Sequence, residues 1–485
     1  MDLAFRSASA LAKAVRGRKI GCLELLDDYL RRVERYNPKL NAIIWQDRDG
    51  ARKRARAADR ALAKSEVWGP LHGVPMTVKE SFDVAGAPTT WGDPVLAANI
   101  AKKDSLAVAR FKAAGVTLFG KTNVPLMLAD WQSFNAVYGT TNNPWDTTRV
   151  PGGSSGGSAA ALAAGLTGIE AGSDIGASIR NPAHYCGVFG HKPSWGICPP
   201  RGHALPGKVA VGDISAIGPL ARSAADLRLA LDVMAGPDAI DGAGWQLRLP
   251  KPKATRYRDM KIALMLNDPN SEVDDAVQER LAHLAAFLRK KGAKVDDRAR
   301  PDFDTGEAHK VYVMLLRAAT SGRQSDAQHA ANAKVAASLA RDDESYYARM
   351  VRANAMSHRD WLGWNERRHQ MRLAWAAFFE DYDYFLCPAA ASAAFPHDHA
   401  GERHQRTILV NGRRVPTTDQ IFWAGYSCAF YLPGTVAPCG RTKDNLPVGV
   451  QIVGPQYSDL ACIALAEMLE RDYEHGAFVA PPGYA

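Results

Sequence analysis

Pro151-Gly-Gly-Ser-Ser-Gly-Gly-Ser-Ala-Ala-Ala-Leu-Ala-Ala-Gly165 is followed closely by Gly172-Ser-Asp-Ile-Gly-Ala-Ser-Ile-Arg-Asn-Pro182. Two glycine- and serine-rich turns thus flank a small-residue helix and a short strand. Glycine lets backbone come close to a ligand and lets amides converge on one point. A flexible linker does not fit, because helix-forming Ala159–Ala164 follows at once and Asp174 and Arg180 interrupt the second turn. A phosphate loop does not fit either. Gly152 and Gly157 are correctly spaced, but Ser158 and Ala159 stand where Lys and Ser/Thr are required. A serine nucleophile beside backbone N–H groups that could hold an oxyanion fits the pattern.

Upstream of these turns, Leu23, Leu26, Leu30 and Val33 recur at helical spacing, with Pro38 expected after the helix end. A charged helix is expected over 51–64. Val74–Val78 and Val116–Phe119 read as strands, with a helix from Leu106 to Ala114 between them. Downstream, Met260–Leu266, Tyr384–Leu386 and Val448–Val453 read as strands. Val277, Leu281, Leu284 and Leu288 mark a helix ending at Gly292, and Leu460–Leu469 is the last helix. Residues 295–380 read as helical cover. This alternation predicts an α/β fold with a sheet covered on both faces.

The residues quoted first also resemble a known family. Gly152-Gly-Ser-Ser-Gly-Gly with Asp174-Ile-Gly-Ala-Ser-Ile-Arg180, at a 24-residue spacing between Ser154 and Ser178, resembles the amidase signature family. Gly69-Pro-Leu-His-Gly-Val-Pro-Met-Thr-Val-Lys79-Glu resembles the block that carries its catalytic lysine. Asn143-Pro-Trp-Asp146 and Leu446–Pro455 are similar as well. The resemblance implies the amidase signature fold, one large domain over 1–485 with a central mixed β-sheet covered by helices on both faces. Within it, N-terminal helices would span about 1–66, the signature core about 67–235, helical cover about 270–380, and C-terminal strands and a helix about 381–475.

Carried over residue by residue, the resemblance makes Ser178 the nucleophile, Ser154 the bridging serine after a cis bond to Gly153, and Lys79 the base. The amides of Ile175, Gly176, Ala177 and Ser178 would form the oxyanion hole. The implied activity is hydrolysis of a carboxamide C–N bond through an acyl-enzyme. The chemistry is coherent, because a serine hydroxyl needs a base and a buried lysine can lose its charge at neutral pH. The sequence departs from the family pattern at Ala177, where a second glycine is usual, and at Glu80-Ser81, where Asp-Asn is usual. At a positive φ, alanine would add about 1 kcal/mol of strain, and its methyl group would narrow the site. Asp174 and Arg180 are expected to hold the loop by hydrogen bonds.

Taken singly, each residue has a plainer role: Lys79 as a strand-end surface lysine, Ser154 and Ser178 as turn or cap residues. Their joint occurrence in three matched blocks outweighs this. His72, His184 and His191 form no recognisable triad pattern, there is no GxSxG elbow, and Cys186 reads as an inert buried thiol.

The composition bounds what else is possible. The 485 residues are 46% hydrophobic and 23% charged, enough for a large core. The net charge of +9 is mild, and runs such as Ala51–Arg56 read as a solvated helix face, so no nucleic-acid partner is expected. Seven scattered cysteines without a CxxC argue against disulfides and structural zinc. No signal peptide or membrane span is visible, which reads as a cytoplasmic protein. No metal or cofactor is needed, the expected partner is a small-molecule amide, and a homodimer is the commonest soluble assembly. Trp131, Phe134, Trp423 and Tyr426 are candidates for an apolar acyl or aryl pocket. Two other functions are compatible: a component of an amidotransferase, working on glutamine with partner chains, and a non-catalytic binding protein on the same fold.

Overall fold

The computed structural model describes residues 3–485. The helix Cys22–Leu40 buries Leu25, Leu26, Tyr29, Leu30 and Val33 along one face. It runs through Pro38 rather than ending before it. A proline in the last turn forfeits one backbone bond only, and the helix is stopped instead by Asn41, at φ 48°, whose amide bonds the carbonyl of Asn37.

Three strands next to these helices form a sheet of their own. β1 (Ile43–Gln46), β2 (Pro75–Lys79) and β3 (Thr117–Thr122) lie in the order β1-β3-β2, with β2 parallel to β3. The first two strands expected from the sequence therefore do not join the central sheet. Periodicity marks a strand but not its partner, and here β2 and β3 pair with each other across the helix Leu106–Ala113. β4 (Phe134–Asn135) and β5 (Gly139–Thr140) make a minimal hairpin.

The central sheet takes β6 (Glu170–Asp174), β7 (Phe189–Lys192), β8 (Ala216–Ala221), β9 (Lys261–Leu264), β10 (Lys294–Asp296) and β11 (Tyr384–Pro388). After a separate hairpin of β12 (Thr407–Val410) and β13 (Arg413–Pro416), β14 (Gly434–Arg441) and β15 (Pro447–Val453) complete it. The order is β10-β9-β11-β15-β14-β7-β8-β6. Only β10, β9 and β11 run parallel to one another, so the sheet is mixed. Every residue of β6, β7, β8, β11 and β15 is buried, as strands must be when helices flank a sheet. The segment 305–381 forms four helices, Thr305–Ser321, Asp326–Ser338, Tyr346–Asn354 and His358–Asp381. Among the described residues, no helix is long and apolar enough to cross a membrane.

This topology positions the two Gly/Ser turns. The helix Gly156–Ala163, entirely buried and built of small residues, starts at the end of the first turn. β6 then delivers the second turn beside it, and the helix Arg180–Cys186 carries the chain away beneath β14 and β15. Gly152 shows why small residues are needed. Its φ is +86°, and a side chain there would meet the backbone of Pro182 at 2.7 Å.

Candidate active site

β2 ends on Lys79, whose side chain is fully buried. Its Nζ lies 2.6 Å from Ser154 Oγ and 3.0 Å from Ser173 Oγ, and 3.4 Å from the carbonyl oxygen of Ser173. Among the described residues it forms no ion pair. Burial therefore holds its amine well below the usual lysine range; the Asp174 carboxylate opposes this and the Arg323 charge adds to it. Ser173 was not singled out from the sequence, although it stands one residue before Asp174 on the same strand.

The two turns are tied together. The Gly153–Ser154 peptide bond is cis. The Ser155 amide donates to the carbonyl of Ser178 (3.0 Å), the Gly153 amide to Asn181 Oδ1 (3.2 Å), and the Ser133 hydroxyl to the carbonyl of Gly152 (3.0 Å). Lys79 reaches Ser154 but not Ser178. The Ser178 hydroxyl makes no hydrogen bond among the described residues, and both serines line one cavity.

Asp174 organises the second turn. Its carboxylate accepts from the amides of Ala177 (2.9 Å) and Ile179 (3.0 Å) and from Arg180 Nη2 (2.9 Å) and Nε (3.0 Å), all in the dry interior. Although burial opposes ionisation, the Arg180 guanidinium and these donors hold the carboxyl down at about 2. The Ala177 amide is thus already engaged, which removes it from the expected oxyanion hole. The amides of Ile175, Gly176 and Ser178 have no hydrogen-bond partner among the described residues. The direction of the Gly176 and Ala177 amides follows from the carbonyls of their peptides. Tyr312 Oη donates to the carbonyl of Ile175 (2.8 Å) and Trp131 Nε1 to that of Gly176 (2.7 Å). Because C=O and N–H of one trans peptide point oppositely, Tyr312 turns the Gly176 N–H away from itself, and Trp131 aims the Ala177 N–H at Asp174. Tyr312 comes from the helical cover, a segment without a local motif.

Ala177 has φ +68° and is fully buried. It borders neither cavity at Ser178, so its methyl group does not narrow the site as expected. Glu80 accepts from the amides of Thr90 and Trp91, and Ser81 Oγ lies 3.0 Å from His203 Nε2. Both departures from the family pattern therefore support the cavity wall. His203 itself lines the cavity and is kept neutral, down at about 3, by burial and by the nearby Arg323 charge.

Two cavities of about 270 and 260 Å³ meet at Ser178 and share Leu128, Ile175 and Arg323. Of the four aromatic candidates, Trp131 lines the second. Trp423 and Tyr426 are core residues on the buried helix Ile421–Cys428, packed on Phe422, and Tyr426 bonds Met265 Sδ. Phe134 stacks on the ring of His399 at 3.8 Å instead. Apolar composition does not separate a cavity wall from a core. His72, His184 and His191 bond backbone or side-chain groups away from both cavities, and burial pushes the Cys186 thiol up.

A family model described as Amidase matches residues 24–463. Over 96% of its length the chain is 34% identical to an indoleacetamide hydrolase of Bradyrhizobium diazoefficiens, 86% of which is covered. Over 97% of its length it is 31% identical to a subunit of the glutamyl-tRNA(Gln) amidotransferase of Bdellovibrio bacteriovorus, 97% of which is covered. Among solved structures it is similar to a bacterial aryl acylamidase of the amidase signature enzymes, with a TM-score of 0.81, 25% identity and 96% of each chain covered.

Proposed function

This chain belongs to the amidase family and is a hydrolase of amide carbon–nitrogen bonds, and we propose that it works through an acyl-enzyme on Ser178. In this reading neutral Lys79 takes the proton of Ser154 while Ser154 takes that of Ser178. Ser178 Oγ attacks the amide carbon, and the C–N bond breaks as the relayed proton returns to the leaving nitrogen. Water then releases the acid by the same relay in reverse. The amides of Ile175, Gly176 and Ser178 are the donors for the oxyanion. Preorganised donors of this kind are each worth about 2.7–4 kcal/mol in the transition state.

The observation that carries the reading is the dry, unpaired amine of Lys79 at 2.6 Å from Ser154 Oγ. An ammonium buried there without a carboxylate is costly, so the neutral base is the favoured form. The Ser178 hydroxyl makes no hydrogen bond among the described residues and lines the same cavity as Ser154, so it is free to give its proton to Ser154 in the second leg. The test is labelling by an uncharged fluorophosphonate, followed by identification of the labelled peptide. The expected adduct is on Ser178, lost in Ser178→Ala together with amide turnover. An adduct elsewhere, or full turnover by Ser178→Ala, rejects the reading.

A second reading, a glutamine-hydrolysing component that needs partner chains, is favoured by the likeness to the glutamyl-tRNA(Gln) amidotransferase chain. It predicts that the isolated chain releases no ammonia from simple carboxamides. Turnover of such amides by the chain alone excludes that dependence.

A further inference from the structure

The second cavity at Ser178 holds an unbalanced charge. Arg317 lies in the last turn of the helix Thr305–Ser321, Arg323 just beyond that helix, and Arg403 in the turn at 403–405, and all three line this cavity. None of them forms an ion pair among the described residues. Arg317 and Arg403 both bond the hydroxyl of Tyr346, and Arg323 donates to the carbonyl of Met127 (2.8 Å) and lies over the ring of Trp91. Arg317 Nε is buried with no hydrogen-bond partner at all. The acid in the same wall, Asp130, is already spent: it pairs with Arg406 at 2.6 Å and accepts the Trp131 amide.

Three partly buried guanidinium groups around one open cavity repel one another with no carboxylate paired to them, and a planar fork of donors is matched best by a carboxylate. Burial and mutual repulsion with Arg323 already bring Arg317 down to about 10. Asp130 is the acid that lines this cavity and it pairs with Arg406, so no lining carboxylate is left to pair with the three arginines. The cavity opens directly on Ser178.

We propose that the substrate is an anionic amide, carrying a carboxylate on one side of the scissile bond, and that Arg317, Arg323 and Arg403 receive it in the cavity beside Ser178. This rests on Ser178 being the reacting residue, and it narrows that reading from amides in general to amides of this charge. It adds a charged wall to the apolar acyl or aryl pocket expected from the sequence.

Matched pairs test it: the monoamide of glutaric acid against its methyl ester, for a carboxylate on the acyl side, and an N-acyl amino acid against its methyl ester, for one on the amine side. The expected result is a kcat/KM about tenfold to a hundredfold higher for the acid in one pair, the range of a charge-assisted hydrogen bond. The acid-to-ester ratio should collapse toward one in Arg317→Met and Arg403→Met, each ratio being internal to one protein preparation. Calorimetry with Ser178→Ala protein should show the same preference in binding. Equal or better use of both esters overturns the proposal, and so does a ratio that neither substitution moves. If Ser178→Ala retains turnover, the nucleophile assignment falls, while the acid-to-ester kcat/KM ratios of the native protein and the two arginine variants still decide the anion site.

Discussion

The amine of Lys79 and the hydroxyl of Ser154 stand 2.6 Å apart in the dry interior, with Ser173 Oγ as the amine's other side-chain partner. The chain has placed a lysine where its charge is disfavoured. Folded Lys79 loses its proton at a pH where the unfolded chain, near the usual value of about 10.4, still holds one. Stability should therefore rise with pH across the window between the folded value and about 10.4. Under the proposed relay, activity should rise through the same folded value, because Lys79 acts there as a neutral base.

Replacing this lysine by methionine separates the two effects. Lys79→Met keeps the length and removes the charge. We expect turnover to fall by at least about a thousandfold, thermal stability at neutral pH to increase, and the alkaline rise in stability to flatten. Thermal melts from pH 6 to 10 beside kcat/KM on any accepted amide check this. Retained turnover would show that the base is another group.

Asp174 and Arg180 form a buried ion pair that also holds two further loop amides. Removing one partner of such a pair costs about 3–5 kcal/mol, because the other is left charged and dry. Asp174→Asn should lower the unfolding free energy by that amount, read from the denaturation midpoint at unchanged slope, and abolish turnover in the protein that remains folded. In acid the sign is fixed by the depressed carboxyl. Its contribution is complete above its usual value near 3.9 and is lost as pH falls toward about 2. An Asp174→Asn protein with native stability would mean that Arg180 finds another anion.

The catalytic candidates were legible because they sit in local patterns: glycine and serine in two turns, and a lysine at the end of an apolar strand. What the patterns could not carry was which amide is free. The engagement of the Ala177 N–H by Asp174 depends on Trp131 and Tyr312 turning two peptide planes, and Tyr312 arrives from more than a hundred residues away in sequence. The arginine cluster was invisible for a related reason. Arg317 and Arg403 come from separate segments, and an arginine on a helix reads as a solvated one. Trp423 and Tyr426 were misread as pocket residues because a ring lining a cavity and a ring filling a core have the same composition signal. The mixed sheet was legible as alternation, but the pairing of β2 with β3 in a separate sheet was not, since hydrophobic period marks strands and not partners.

Ala177→Gly should be close to silent. Alanine at φ +68° costs about 1 kcal/mol. Glycine relieves that, but it adds about 0.4–1 kcal/mol of unfolded-state entropy and forfeits about 0.8 kcal/mol of methyl burial. The terms nearly cancel, so stability should change by less than about 1 kcal/mol. The methyl group borders neither cavity, so kcat/KM should change by less than about threefold for small and bulky amides alike, a value within ordinary measurement spread. A selective gain for bulky amides would place the methyl group in the substrate's path after all.

Glu170, at the start of β6, accepts from the hydroxyl of Thr77 on β2, so it joins the two sheets just behind the site. Its other oxygen is buried without a partner. Burial pushes this carboxyl up to about 8, so at neutral pH it is an uncharged acid. In the unfolded chain it ionises near 4.3, as ordinary glutamates do. The folded state therefore binds the extra proton between these values, and the stabilisation it brings is complete below about 4.3 and drains away as pH rises to about 8. Glu170→Gln preserves shape and a hydrogen bond to Thr77 but cannot ionise. It should match the native protein in thermal stability near pH 4, exceed it increasingly up to about pH 8, and hold a constant lead above that. Subtracting one melting curve from the other cancels every other titrating group. Two parallel curves over that range would show that Glu170 is already ionised in the fold.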